Sequence, residues 1–223
     1  MIDEKSTVMT KALLACGAIA GPLFVIAFLF EGATRANYDS LRHPVSSLAL
    51  GDYGWVQSAN FVVVGLLTLA FFVGLRRALE QGKGSTWGPL LVAVWAVGLL
   101  GAGFLVTDPV SGYPPGTPDR LSGNSWHGAL HDLFSLLGFV ALAAACFVFG
   151  RWFVGRGKRG WALYSAASGV VFAVAFVLSS AGFAQVAGLV DLAGLLQRVA
   201  VVVGFCWLTL LAVHVLRGLS SAR

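Results

Sequence analysis

Six long apolar segments run through this sequence, and they constrain the fold more than any other feature. They cover residues 12–30, 55–75, 87–106, 127–149, 161–183 and 189–216. A helix of about 20 apolar residues crosses the roughly 30 Å hydrocarbon core of a membrane. Because that core offers no water to backbone N–H and C=O groups, continuous apolar segments of this length are expected to be helical. The sequence therefore predicts an all-α, polytopic integral membrane bundle of six transmembrane helices.

The composition agrees with this class of protein. Hydrophobic residues make up 57% of the chain and charged residues only 11%, whereas about a quarter of a soluble domain is charged. Little sequence lies outside the six segments, so we expect residues 1–223 to form a single domain. The first segment is longer than the apolar part of a secretion signal, and no small-residue cleavage site follows it, so we expect it to be retained. Cys16, Cys146 and Cys206 lie inside the segments without ligand-like spacing and are expected to be packing residues.

Basic residues predict the orientation. Eleven of the fifteen lysines and arginines fall in the terminal segments and connections that six alternating helices place on one side. They are Lys5, Lys11, Arg76, Arg77, Lys83, Arg151, Arg156, Lys158, Arg159, Arg217 and Arg223. The cytoplasmic side of a membrane protein normally holds this excess, so both termini are predicted to be cytoplasmic. The net charge of +5 then reflects membrane topology, not nucleic-acid binding.

Two long connections carry most of the polar residues of interest, and both fall on the predicted exterior. They are residues 31–54, the first loop, and residues 107–126, the second loop. Connections of this length in a small domain are more often functional or disordered than idle. The second loop is rich in proline and glycine, which fix and bend the backbone, so we expect the two loops to form a cap over the helix ends. Asp108 is expected to face inward there, with a turn cap beside Pro109 as the alternative.

Two histidines open the fourth segment. His127 and His131 are four residues apart and so lie on one helix face. At this spacing they could hold a metal such as zinc, act as an acid-base pair, or simply occupy the membrane interface. A metal would need further ligands, and His43, Asp108 and Asp132 are available. We take His127 and His131, with Asp108, Asp132 and His43, as the candidate catalytic residues, and the three histidines as candidate metal ligands.

An arginine deep in the last segment predicts a buried partner. Arg198 lies about 13 Å along that helix at 1.5 Å per residue, and an unpaired arginine facing lipid costs about 2.5 kcal/mol or more. Its expected partner is a carboxylate (Asp108, Asp132 or Asp191) or an anionic ligand, and a purely structural salt bridge is the alternative. The other candidate substrate-binding residues are Gln197, Ser46, Asn60, Tyr113, Trp55 and Trp126. The tryptophans also suit the ordinary aromatic belt of a membrane protein.

Several short motifs together resemble a known family. They are RHPVSSLALG at 42–51, GW at 54–55, NF at 60–61, TDP at 107–109, GYPPGTP at 112–118, His127, and QR at 197–198. Over nearly its whole length the chain resembles a bacterial six-helix membrane family known as domain of unknown function 998. The resemblance implies a bacterial cytoplasmic-membrane location and one constellation made of His43, Ser46, Asp108, His127 and Arg198. It implies no activity.

Three kinds of function fit these residues. The first is an enzyme that acts on a lipid or isoprenoid at the outer face by acid-base or metal-assisted chemistry, such as a lipid hydrolase. A variant of it is a membrane terpene cyclase that protonates its substrate with Asp108 or Asp132 in an aromatic-lined cavity. The second kind is a non-catalytic lipid binder, sensor or assembly protein. A transporter ranks last, because the sequence has no broken helices or inverted repeat.

Overall fold

The computed structural model of the chain describes residues 4–79 and 83–221. Six α-helices account for most of this length, and the described residues contain no β-strand. The helices are α1 (Glu4–Thr34), α2 (Gly54–Ala78), α3 (Lys83–Phe104), α4 (Trp126–Val154), α5 (Arg159–Phe183) and α6 (Ala193–Ser221). Short 3₁₀ turns at Val45–Ala49 and Val190–Leu192 interrupt two of the connections. All six apolar segments predicted from the sequence are thus confirmed as helices long and apolar enough to cross a membrane.

The helices form a ring in chain order. Each packs against the next one, and α6 closes the ring by packing against α1. Residues 35–53, 105–125 and 184–192 connect the helices at one end, which we call the loop end. The opposite end, which we call the basic end, carries most of the lysines and arginines. The predicted orientation, with the basic end in the cytoplasm, rests on that charge distribution; Arg223 lies outside the described residues.

A close approach of α3 and α4 shapes the interior near the loop end. A Cβ atom on Gly98 would lie 2.8 Å from the carbonyl oxygen of Phe134 and 3.0 Å from the Cα atom of Gly138. Contacts this short leave no room for a side chain, so glycine at position 98 lets the two backbones touch. Small residues commonly permit such contacts between membrane helices. The approach brings the first turns of α4, with His127, His131 and Asp132, against the end of α3.

The first loop is tied down along its length. Arg35 at the end of α1 donates hydrogen bonds to the carbonyl oxygens of Leu50 (2.9 Å) and Tyr53 (3.2 Å). The same guanidinium forms a salt bridge with Glu31, one helical turn earlier, at 3.3 Å. Arg35 therefore joins the beginning of the first loop to its end.

Candidate functional site

A cavity of about 610 Å³ lies within the half of the bundle nearest the loop end. All six helices contribute apolar side chains to its inner part, which we call the floor: Phe24, Phe61, Trp95, Phe139, Phe176 and Val201. Polar side chains line the part nearest the loops, which we call the mouth: Ser46, Asp108, Arg120, His131, Asp132, Ser135 and Gln197. An apolar interior with a few polar groups at one end is the usual form of a site for a small lipophilic ligand.

The floor is made of aromatic rings in mutual contact. Phe139 stacks on Phe176 with ring centroids 4.3 Å apart. Trp95 meets Phe139 edge to face at 5.4 Å, and meets Phe205 in the same manner at 5.6 Å. These contacts hold several ring faces at the inner end of the cavity. Faces of this kind attract positive charge, most strongly that of tryptophan.

His131 is held at the mouth by the backbone at the end of α3. Its side chain is buried, at 3% exposure, and its Nδ1 lies 2.7 Å from the carbonyl oxygen of Leu105 at the end of α3. A carbonyl oxygen only accepts hydrogen bonds, so Nδ1 must carry the proton. In the neutral ring Nε2 is then the basic nitrogen. The backbone of α3 therefore fixes the tautomer that a general base requires.

Asp132 and Arg120 are charged residues of the mouth without polar partners. Neither makes a hydrogen bond or a salt bridge to any residue that the structure describes. Asp132 lies on α4 directly after His131 and is exposed, although it belongs to a helix long enough to cross the membrane. Ionisable groups inside such helices usually face a cavity and mark a functional path. Asp132 is therefore the carboxyl group most available to a bound ligand.

Asp108 lines the mouth but holds the protein together. One carboxylate oxygen accepts a hydrogen bond from the backbone N–H of Ser125 at 2.8 Å, and the other accepts from the Ser125 hydroxyl at 2.7 Å. That hydroxyl in turn accepts from the N–H of Gly128 and so caps α4. The expectation that Asp108 faces inward is met. Its partner is the start of α4, however, and not the turn at Pro109.

His127 lies outside the cavity lining. Its Nδ1 is 2.8 Å from the carbonyl oxygen of Val106, one residue beyond the carbonyl that holds His131. The end of α3 thus orients both histidines in the same way, but only His131 reaches the cavity. Among residues 4–79 and 83–221, no three histidine, cysteine or acidic side chains are grouped closely enough to hold a metal ion. The structure therefore does not bring His43, His127 and His131 together as a ligand set.

His43 belongs to the packing of the two loops. Its Nδ1 accepts a hydrogen bond from the N–H of Asp39 at 2.9 Å, and its Nε2 lies 3.2 Å from the carbonyl oxygen of Ser111 in the second loop. Both ring nitrogens are therefore in use. Burial lowers the pKa of His43, which favours the neutral ring that this arrangement needs. The side chain joins the two loops and does not line the cavity.

Arg42 links three connections at the loop end. It pairs with Asp119 of the second loop at 2.8 Å and with Asp191, between α5 and α6, at 2.9 Å. Its Nε also donates to the carbonyl oxygen of Ser111 at 3.2 Å. One guanidinium thus ties three connections together. The pairs are partly exposed, so each contributes only about 0–1 kcal/mol.

Arg198 is buried as expected, but its partners are not carboxylates. Nη1 donates to the carbonyl oxygens of His43 and Gly194, each at 3.0 Å, and Nη2 donates to the hydroxyl of Tyr38. No salt bridge joins it to Asp108, Asp132 or Asp191. Burial raises the pKa of Tyr38 to about 12, so its hydroxyl stays protonated and donates to the carbonyl oxygen of Pro44 at 2.9 Å. Arg198 fixes the first loop on α6 and does not line the cavity.

The remaining predicted residues divide between the cavity and its surroundings. Ser46 and Gln197 line the mouth, and the Gln197 carbonyl accepts from the N–H of Val45 at 2.7 Å. Asn60 is buried beside the floor and donates to Gln57 and to the backbone of Phe24. Trp55 and Trp126 are exposed, at 68% and 72%, as side chains of an aromatic belt would be. Tyr113 is buried against the rings of Tyr38 and His43 inside the cap.

An aromatic-lined cavity was expected for a terpene cyclase, with Trp55, Trp126, Tyr113 and Trp207 as its aromatic residues, but none of these lines the cavity and the residues of the floor were not identified. Trp95, Phe139 and Phe176 each lie in the middle of a uniformly apolar segment, so no hydrophobic periodicity shows which face of the helix is interior. Arg120 was also left out, because only the folded second loop carries it to the mouth. One signal was available in the sequence. Tryptophans of membrane proteins usually lie near the ends of the membrane-spanning segments, whereas Trp95 lies far from both ends of its segment.

Comparison with known proteins identifies a family but no activity. The model of the family described as a protein of unknown function (DUF998) matches residues 18–214. No curated protein and no solved structure matches the chain. The match covers both loops, the cavity and all of the candidate residues. The chain therefore belongs to the DUF998 family of proteins of unknown function.

Proposed function

We propose that this protein is a membrane enzyme that moves protons within an unsaturated lipid or isoprenoid and so isomerises or cyclises it. The observation that carries the proposal is the cavity, which joins an unpaired carboxyl group and an oriented imidazole to a floor of aromatic rings. Such a reaction needs at least one acid and one base in contact with a lipophilic pocket.

In this proposal the two mouth residues divide the proton transfers. Asp132 in its carboxylic acid form gives a proton to one carbon of a carbon–carbon double bond, which leaves positive charge on the other carbon. Nε2 of His131 takes a proton from a neighbouring carbon, and a new double bond forms. The substrate gains one proton and loses one, so the product is an isomer. Proton exchange with water at the exposed Asp132 restores both groups.

The floor would stabilise the charged intermediate. A desolvated cation over an aromatic face gains about 2 kcal/mol, so the rings of Trp95 and Phe176 would together supply roughly 4 kcal/mol. At 1.36 kcal/mol per tenfold, that is about 10³ in rate. Phe139 supports this floor through its stacking on Phe172 and Phe176. The indole N–H of Trp95 is a donor only, so it has no lone pair that could trap the cation.

The test is conversion of lipids by the reconstituted protein. Wild-type protein in vesicles made with a neutral-lipid extract of bacterial membranes should replace one chromatographic peak by another of the same mass. Asp132→Asn should reduce this conversion by about 10²-fold or more. Asp52→Asn is the matched control, because Asp52 is an exposed residue of the first loop that does not line the cavity. Equal activity of the two variants would refute the role of Asp132.

A non-catalytic lipid binder is the outcome if the wild type converts nothing. The same vesicles would then retain every peak, whichever variant is present. Replacement of His131 by glutamine separates the two proton transfers. It should remove turnover but leave the fold intact, since a glutamine amide can still donate to the Leu105 carbonyl that His131 contacts.

A further inference from the structure

The cavity has an opening between the halves of α4 and α5 that lie nearest the loop end. Exposed lining residues lie in two places: on the second loop at Arg120, Ser122, Gly123 and Asn124, and on the two facing helices at Asp132 and Leu136 of α4 and at Ser180 and Ala184 near the end of α5. Further toward the basic end the helices close, because Phe139 stacks on Phe176 at 4.3 Å. The two helices therefore separate only beyond this stacked pair.

The opening reaches the depth of lipid chains. Helix α4 has 29 residues and is about 43 Å long at 1.5 Å per residue. If a hydrocarbon core of roughly 30 Å is centred on it, the core begins about 6 Å from either end. Leu136 lies about 15 Å from the start of α4 on the same scale, well inside the core. Asp132 lies about 9 Å from that start, near the core boundary.

The charges of the mouth are balanced. Asp108 is already engaged with Ser125 at the N-terminus of α4, where a negative charge is favoured. Asp132 in the carboxylic acid form that proton donation needs is uncharged, so the formal charges of the mouth are one negative, on Asp108, and one positive, on Arg120. The guanidinium of Arg120 and the carboxyl group of Asp132 have no partners among the residues the structure describes. A head group of either charge would approach a like charge at the mouth, and the repulsion grows as the head group leaves water. An uncharged polar head can hydrogen-bond to both.

The volume limits the ligand to a single chain. About 610 Å³ would hold about 20 water-sized groups at roughly 30 Å³ each. A chain of fifteen to twenty carbons with one small head group fills such a space. A lipid with two acyl chains does not fit.

We propose that the ligand is a single-chain amphiphile with an uncharged head, such as an alcohol, carbonyl or epoxide, which enters sideways from the bilayer between α4 and α5. The inference names the substrate class of the proposed function. It rests on that proposal, because it takes the cavity as the place where a substrate binds. The leaflet concerned is the one around the loop end, which the distribution of basic residues predicts to be the outer leaflet.

Photolabelling in vesicles tests the head-group preference. The protein is reconstituted in phosphatidylcholine vesicles with a fifteen-carbon isoprenoid alcohol that carries a diazirine, and labelled peptides are identified by mass spectrometry. Labels are expected on Phe139 and Phe176 of the floor. Excess unlabelled alcohol should reduce labelling about tenfold, and the same chain ending in phosphate, trimethylammonium or a phosphocholine zwitterion less than about twofold. Equal competition by any of the three charged heads would overturn the preference.

Tryptophan substitutions test the route. Leu136→Trp should narrow the opening and lower labelling at least about fivefold, whereas Leu137→Trp is matched in size and depth but lies outside the cavity lining and should not. Ala184→Trp on the α5 side and Ala187→Trp form a second matched pair, which guards against misfolding of one variant. Equal labelling within both pairs would refute entry between α4 and α5.

The inference and the proposed function can fail separately. Labelling reports binding, and the change of chromatographic peak reports turnover. An Asp132→Asn protein that labels like the wild type but converts nothing supports both. A wild-type protein that shows the expected labelling but no conversion refutes the reaction and leaves the binding inference standing.

Discussion

Replacing Arg198 by methionine should lower the stability of the ligand-free protein. The guanidinium donates to two groups of the first loop, the carbonyl oxygen of His43 and the hydroxyl of Tyr38. A hydrogen bond to a charged group contributes about 1.5 kcal/mol at the low end of its range, so the loss of two costs about 3 kcal/mol. The low end of the range applies because the first loop keeps other hydrogen bonds. The Tyr38 hydroxyl lies 3.3 Å from the carbonyl oxygen of His43 and 2.9 Å from that of Pro44.

The assay can use the protein's own thiols. Cys146 is fully buried in the bundle, whereas Cys16 and Cys206 are partly or fully exposed and would be replaced by alanine. A thiol-reactive fluorogenic dye then reports the temperature at which the bundle opens in detergent. A loss of 3 kcal/mol should lower Tm by about 6–12 °C, at roughly 2–4 °C per kcal/mol for a chain of this size. Arg198→Lys keeps the charge but not the forked guanidinium group, so it should lower Tm by about half as much as Arg198→Met.

The opposite result would identify Arg198 as a ligand anchor. In that case Arg198→Met would leave the Tm of the ligand-free protein unchanged and reduce photolabelling of the cavity by a diazirine probe whose chain ends in phosphate. This outcome would refute the structural role that its hydrogen bonds indicate. The sequence favours a structural role and a ligand-binding role of Arg198 equally. This outcome would restore the second interpretation, in which the arginine binds an anionic ligand.

Three further predictions test other parts of the structure. Gly194→Ala should lower Tm by several degrees, because its Cβ would lie 2.5 Å from the carbonyl oxygen of His43, whereas Gly218→Ala on the same helix meets nothing within 4 Å and should not. Burial lowers the pKa of His43, so the unfolded chain binds more protons; stability should be complete above about pH 6.5 and fall as the pH decreases. The fall in Tm from pH 7.5 to 5.5 should be smaller in His43→Asn than in the wild type. An equal fall would contradict the assignment of this pH dependence to His43. Trp95→Leu should reduce turnover about 30-fold through a loss of about 2 kcal/mol, while Trp95→Phe retains most of it; equal losses would contradict cation stabilisation.

The class of fold is readable from this sequence because the membrane imposes it. Apolar segments of membrane-spanning length leave the backbone no alternative to a helix, and all six segments are helices in the structure. The contribution of the loops was also predictable in part. Long, proline-rich connections on one side indicate a cap, and Arg42 and His43 do join the first loop to the second.

The inner half of the site was not predictable, for a physical reason. In a membrane helix the lipid-facing side is as apolar as the interior, so the sequence of α3, α4 or α5 carries no pattern that separates the two. Trp95 therefore could not be assigned to the floor. The same ambiguity applies to His127 and His131, which share one helix face, although only His131 lines the cavity.

Polar partners were the least predictable feature. Arg198 was expected to meet a carboxylate, because a buried charge needs compensation. Backbone carbonyls and a tyrosine hydroxyl supply it instead, and these groups exist at the right place only after the first loop has folded onto α6. Asp108 shows the converse. Its partner Ser125 is 17 residues away in sequence, and no local motif links the two.

The most direct test of the proposed proton transfer is incubation of the reconstituted protein with the lipid extract in heavy water. Proton donation to carbon should place one deuterium in the product, which raises its mass by one unit relative to the same product formed in ordinary water. The account predicts this isotope in a lipid converted by the wild type and by Asp52→Asn, and its absence with Asp132→Asn. Conversion without any deuterium on carbon, or deuterium incorporation that persists in Asp132→Asn, would contradict it.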